Sequence, residues 1–151
     1  MILFWNCRGF PHCKGPMLSW ILGDIDLILL VETLEHDESR VPHLDGFTLW
    51  YAWNKKSSRR GFGGIACYIR NIVSSHVQLH KINPFNQYIW IKIFDSTTNR
   101  IFLAIHNFTP INSTSYKKKN LDKNCPLNAL EKGIYNLRNG GNILFLGDLN
   151  S

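Results

Sequence analysis

Ile143-Leu144-Phe145-Leu146-Gly147-Asp148-Leu149-Asn150 lies near the end of this 151-residue chain and decides its reading. An apolar run this short, closed by glycine, reads as a strand buried on both faces. It delivers a carboxylate and a carboxamide two positions apart, which places Asp148 and Asn150 on the same side of an extended chain. The same design occurs twice upstream. Ile2-Leu3-Phe4-Trp5 runs into Asn6, with Arg8 and Gly9 behind it, and the nearly continuous apolar run from Ile25 to Val31 ends on Glu32-Thr33. Each strand releases an oxygen-bearing side chain at its C-terminal end. If the strands run in one direction, Asn6, Glu32, Asp148 and Asn150 converge at one edge of the sheets.

The rest of the chain reads as one α/β unit without linkers or repeats. Met17, Leu18, Ile21 and Leu22 have helical spacing, and Gly23 is a natural stop. Strands are predicted near residues 47–52, 65–69, 73–79, 88–94 and 101–105. Tyr88, Trp90 and Lys92 alternate with Ile89, Ile91 and Ile93, the period of a strand whose two faces are packed differently. From Pro126 to Leu137, Leu127, Leu130, Ile134 and Leu137 share one face of an amphipathic helix closed by Gly140-Gly141. Apolar central strands interleaved with helices predict helices packed outside two facing sheets.

Composition narrows the function classes. Hydrophobic residues make up 44% and charged residues 19%, which excludes a disordered chain and supplies a substantial core. The net charge of +6 and pI near 9.3 suit an acidic polymer as partner. Lys55, Lys56, Arg59 and Arg60 cluster beside Trp50, Tyr51 and Trp53 and are read as contacts to the phosphate backbone of DNA; Lys117, Lys118 and Lys119 fit solvated loop positions equally well. The cysteines form no C-x-x-C pair, which points to an intracellular, reducing compartment, cytoplasm or nucleus. Cys7, His12 and Cys13 lack the fourth ligand and regular spacing of a zinc site. No apolar run approaches the length of a membrane span.

Trp5-Asn6-Cys7-Arg8-Gly9, Glu32-Thr33 and Gly147-Asp148-Leu149-Asn150, in this order, resemble the endonuclease/exonuclease/phosphatase superfamily, which has the fold of pancreatic deoxyribonuclease. Arg60-Gly61-Phe62-Gly63-Gly64 is similar to its glycine-rich turn, and Phe108-Thr109-Pro110 to its proline-bearing segment. The flavour is that of the apurinic-type endonuclease domain of non-LTR, LINE-type retrotransposons. The resemblance implies a four-layer α/β/β/α sandwich with two facing, mostly antiparallel or mixed sheets. It also implies metal-dependent hydrolysis of phosphodiesters, with DNA as substrate. Glu32 and Asn6 would hold the metal, Asp148 would orient or deprotonate the attacking water, and Asn150 would hold the scissile phosphate or that water. Asn107 stands where many relatives have a tyrosine that contacts phosphate. Glu32 and Asp148 held close together would repel, and a divalent cation keeps both ionised. Hard oxygen ligands favour Mg²⁺ or Mn²⁺.

Superfamily members carry a further aspartate and a terminal Asp-His pair after Gly-Asp-x-Asn, whereas all six histidines here precede it. The chain is therefore read as roughly the N-terminal half to two-thirds of one such domain, residues 1–151, with an incomplete active site. Its C-terminal strands are expected to be missing and its activity alone to be weak or absent. Two other readings remain: a phosphatase of the same fold acting on a small phosphoester, and a non-catalytic remnant that binds nucleic acid.

Overall fold

A computed structural model describes residues 1–9, 23–35, 40–52, 63–82, 88–94, 100–107 and 126–148. The expected helix at 16–22 lies outside them. Eight strands and one α-helix are described: β1 (Ile2–Asn6), β2 (Leu27–Val31), β3 (Phe47–Ala52), β4 (Ile65–Arg70), β5 (Val77–Ile82), β6 (Tyr88–Phe94), β7 (Arg100–Asn107), α1 (Pro126–Leu137) and β8 (Asn142–Asp148). They form two mixed four-stranded sheets, ordered β1-β2-β4-β3 and β5-β6-β7-β8. The β1–β2 and β7–β8 pairs are parallel and the other pairs antiparallel.

Side-chain alternation explains the layering. Leu27, Leu29 and Val31 of β2 pack in the core that also holds Ile65 and Cys67 of the first sheet and Ile89, Ile91, Leu103 and Ile105 of the second. Ile28 and Leu30 belong to the opposite face of β2, in a cluster with Tyr68, Val41 and Leu44. With both faces covered, β2 has no polar position to spare, which is why its sequence is uninterrupted Leu-Ile-Leu-Leu-Val. On β6, Tyr88 and Trp90 face away from the other sheet and are buried with Leu130 of α1. The described layers are thus helix, sheet and sheet, as in an α/β sandwich.

One expectation fails. Residues 73–79 do not form one strand: a 3-10 turn occupies Asn71–His76 and the strand starts at Val77. The hydroxyl of Ser74 donates to the Asn71 carbonyl (2.7 Å), a local bond that competes with strand pairing, and Ile72 is 80% exposed.

That turn orients the two sheets. It leads from the end of β4, whose Ile69 pairs with Leu27 at the start of β2, to the start of β5. Register then carries Val77 to Ile93, Ile93 to Ile101, and Ile101 to Asn142. The starts of β1, β2, β7 and β8 therefore share one end of the sandwich, and their C-terminal ends share the other. β1 and β8 are the edge strands on the same side and touch each other across the sheets. Their apolar sequences are less covered than those of β2 and β7: Ile2, Leu144 and Phe145 are exposed.

Candidate functional site

The end of β1 is fastened to the end of β2 by main-chain bonds. The Cys7 N–H donates to the Val31 carbonyl (3.0 Å) and the Gly9 N–H to the Glu32 carbonyl (2.6 Å). The buried Cys7 thiol also donates to the Val31 carbonyl (3.2 Å). Asn6 closes this turn through its side chain, whose Oδ1 accepts the Arg8 N–H at 3.1 Å. From the other side, Thr33 N–H reaches the Gly64 carbonyl (3.3 Å) and Leu34 N–H the Gly63 carbonyl (2.8 Å). Glu32 is thereby held between the β1 turn and the segment entering β4, with its side chain partly exposed.

Backbone strain gathers at the same place. Arg8, Glu32 and Leu34 have φ of 46°, 55° and 57°, and they are the non-glycine residues of positive φ among the described ones. A left-handed conformation costs a residue with a Cβ about 1–2 kcal/mol. Such strain persists where surrounding bonds over-determine the backbone, and it concentrates at functional sites.

A buried polar pair supports Glu32 from below. Thr33 is fully buried, and its hydroxyl lies 3.2 Å from that of Tyr51, which donates to the Glu35 carbonyl at 2.7 Å. The Tyr51 proton is thus engaged, so the Thr33 hydroxyl is the donor of the pair. Gly64 (φ +89°) leaves room for this arrangement, because a Cβ there would collide with Thr33 Oγ1. Gly64→Ala is expected to lower stability by about 2–3 kcal/mol, read as a fall in urea midpoint at unchanged m-value. It should also disturb Glu32 through Thr33.

On the second sheet, Asn107 and Asp148 are register partners at the C-terminal ends of β7 and β8, one step beyond His106 and Gly147. A Cβ on Gly147 would lie 2.7 Å from His106 Nδ1, so only glycine allows the buried imidazole to rest against β8. The His106 ring also lies 6.3 Å from the Phe145 ring, the setting of a packed strand-end histidine.

Of the residues singled out in the sequence, Asn6, Glu32, Asn107 and Asp148 therefore stand at strand ends on one end of the sandwich. Asn150, Lys55, Lys56, Arg59 and Arg60 lie outside the described residues, as do His12, Cys13 and Lys117 to Lys119. Thr33, Tyr51 and Gly64 each stood in a segment the sequence singled out, but their contact with one another carried no signal, because it joins segments far apart in sequence. Arg8 was visible as part of a motif but had no role attached to it.

The residue types at these strand ends bear carboxylates and carboxamides, the donor chemistry a magnesium-type ion takes. Such an ion keeps several waters and needs only one or two carboxylates. Among the described residues no group of three or more His, Cys, Asp or Glu that could hold a metal ion is found. No described helix is long and apolar enough to cross a membrane.

Residues 3–151 match the model of the endonuclease/exonuclease/phosphatase family. No curated protein matches the chain significantly. Among the solved structures that share its fold over 99% of its length are the following three. The 3′ phosphatase NExo from Neisseria, bound to a product DNA hairpin, is 18% identical with a TM-score of 0.61. The Xenopus laevis APE2 catalytic domain is 18% identical with a TM-score of 0.62. The human Nocturnin catalytic domain, with bound sulfate, is 15% identical with a TM-score of 0.64. The chain spans 57%, 58% and 63% of those three chains.

Proposed function

Because the chain belongs to the endonuclease/exonuclease/phosphatase family, whose enzymes hydrolyse phosphoesters, we propose that it forms the N-terminal part of a divalent-metal-dependent phosphodiesterase acting on DNA. The observation that carries this reading is the common end shared by the C-termini of β1, β2, β7 and β8. In this reading Glu32, aided by Asn6, holds Mg²⁺ or Mn²⁺. A bound ion of this kind polarises a phosphoryl oxygen and neutralises developing charge. Asp148 orients the attacking water and takes its proton, Asn150 holds the scissile phosphate, and the Asn107 carboxamide donates to a phosphate oxygen.

Net charge favours DNA over a small phosphoester, since +6 over 151 residues attracts an extended polyanion. The NExo structure, with its product DNA hairpin, supports the same choice. Lys55, Lys56, Arg59 and Arg60 serve the DNA backbone in this account. Replacing Arg59 and Arg60 with alanine should therefore reduce the salt slope of DNA binding by about 0.9 for each phosphate left without its cation. Within the family, the retrotransposon type is the kind of endonuclease proposed, on the flavour of the motifs alone. Cys67 is buried and in no disulfide, which with the absence of a C-x-x-C pair supports a reducing intracellular compartment.

Plasmid nicking tests the proposal. Nicking that needs Mg²⁺, stops with chelator and is lost in Glu32→Ala is the expected result, weak in this chain and stronger in a protein extended to the neighbours' length. Nicking that survives chelation contradicts it. Hydrolysis of an inositol phosphate without nicking favours the small-phosphoester reading. DNA binding without any hydrolysis, even in the extended protein, favours a non-catalytic one.

A further inference from the structure

We infer that Arg8 is a substrate-contacting residue that grips a phosphate of the DNA backbone beside Glu32; this rests on the phosphodiesterase reading above. Arg8 stands on the turn that follows β1, exposed, two residues beyond Asn6. Among the described residues its guanidinium takes part in no ion pair. Other cations of this protein are used differently. Arg70, at the far end of the sandwich, donates to the carbonyls of Ile25 (2.8 Å) and Gly23 (2.7 Å) and covers the Phe47 ring, while Arg138 stacks on Tyr135.

The backbone of Arg8 is the second observation. It is left-handed at φ 46°, a conformation glycine or asparagine adopts more readily. It is held there by Asn6 Oδ1 on its own N–H and by the bond from Gly9 to the Glu32 carbonyl. The same bonds that fix Glu32 thus fix the base of the arginine. A strained position occupied by a long cation, where glycine would fit better, is explained if the side chain has work to do. A guanidinium fork matches two phosphate oxygens at once, and being weakly hydrated it gives up little to leave water. Standing on a turn bonded to Glu32, it would meet a substrate phosphate held at the same strand end.

Arg8→Gly separates function from folding, because glycine accepts the left-handed backbone and removes only the side chain. The unaltered chain, Arg8→Gly, Arg8→Lys and Lys132→Ala are compared for binding to a short DNA duplex by fluorescence anisotropy in Mg²⁺ over a range of salt. Lys132 is exposed on α1 and controls for the loss of one positive charge. Arg8→Gly is expected to melt no lower than the unaltered chain, to bind DNA about fivefold or more weakly, and to lose about one unit of salt slope. Arg8→Lys should recover part of the affinity as a point charge, and Lys132→Ala should bind within about twofold of the unaltered chain. Arg8→Gly binding no more weakly than Lys132→Ala overturns the inference. If Glu32→Ala still abolishes Mg²⁺-dependent nicking in that case, the phosphodiesterase reading stands alone. If the unaltered chain does not bind DNA, both fall.

Discussion

Replacing Glu32 with alanine is expected to lower Mg²⁺-dependent nicking by about a hundredfold or more, the usual cost of losing one electrostatic group aimed at a developing charge. The carboxylate is the donor on β2 at the shared strand end, and its main chain is pinned from two directions, to Gly9 on one side and through Thr33 and Leu34 on the other. Because those bonds run through the backbone, alanine leaves them in place. Both residues carry a Cβ, so the strain at φ 55° is unchanged as well. The variant should therefore melt close to the unaltered protein while losing hydrolysis, and Glu32→Gln, which keeps the shape, should lose it nearly as fully. A large fall in melting temperature with residual activity in the folded fraction would instead make Glu32 a structural residue.

Trp90→Ala is expected to cost about 3–5 kcal/mol of stability, the range for removing a large aromatic side chain from a core. Trp90 is 1% exposed on the outward face of β6, in a cluster with Tyr88, Phe102, Ala104 and Leu130. Its ring lies edge-on to Phe145 at 6.0 Å, and a Cβ on Gly133 would come within 3.1 Å of it, so helix and sheet already meet closely. Removing the indole leaves a gap that α1 can close only by tilting. Urea unfolding should show the loss as a lowered midpoint. Leu127→Ala, at an exposed position of the same helix, should shift it far less. Equal shifts in the two variants would mean that α1 is not seated on Trp90.

The apolar runs before Asn6, Glu32 and Asp148 made three strands and their polar ends legible in the sequence, although of the three only β2 is buried on both faces and the edge strands β1 and β8 are partly exposed. The amphipathic spacing of Leu127, Leu130, Ile134 and Leu137 did the same for α1, although Leu127, in the first turn, is exposed rather than packed on the sheet. The start of β5 was not legible: Ile72 and Val73 are apolar, but the local bonding of Ser74 keeps them out of the strand. The supports of Glu32 were hidden for a different reason. Thr33 meets Tyr51 across 18 positions and Gly64 across 31, and periodicity reports only which face a residue occupies, not which distant segment it meets. The motif included Arg8 but gave it no role, because its distinguishing feature is a backbone angle.

If Glu32 and Asn6 hold one divalent cation, with Asp148 at the same strand end, the ion should be detectable without turnover. Paramagnetic broadening by Mn²⁺ in an amide-resolved NMR titration is the direct test. Substoichiometric Mn²⁺ is expected to broaden first the amides around residues 6–9, 31–34, 106–107 and 147–148. Mg²⁺ should compete the effect away, and Glu32→Gln should remove it. Broadening that begins instead at the exposed His43–Asp45 pair, or that survives Glu32→Gln unchanged, would contradict a shared cation at this end of the sandwich.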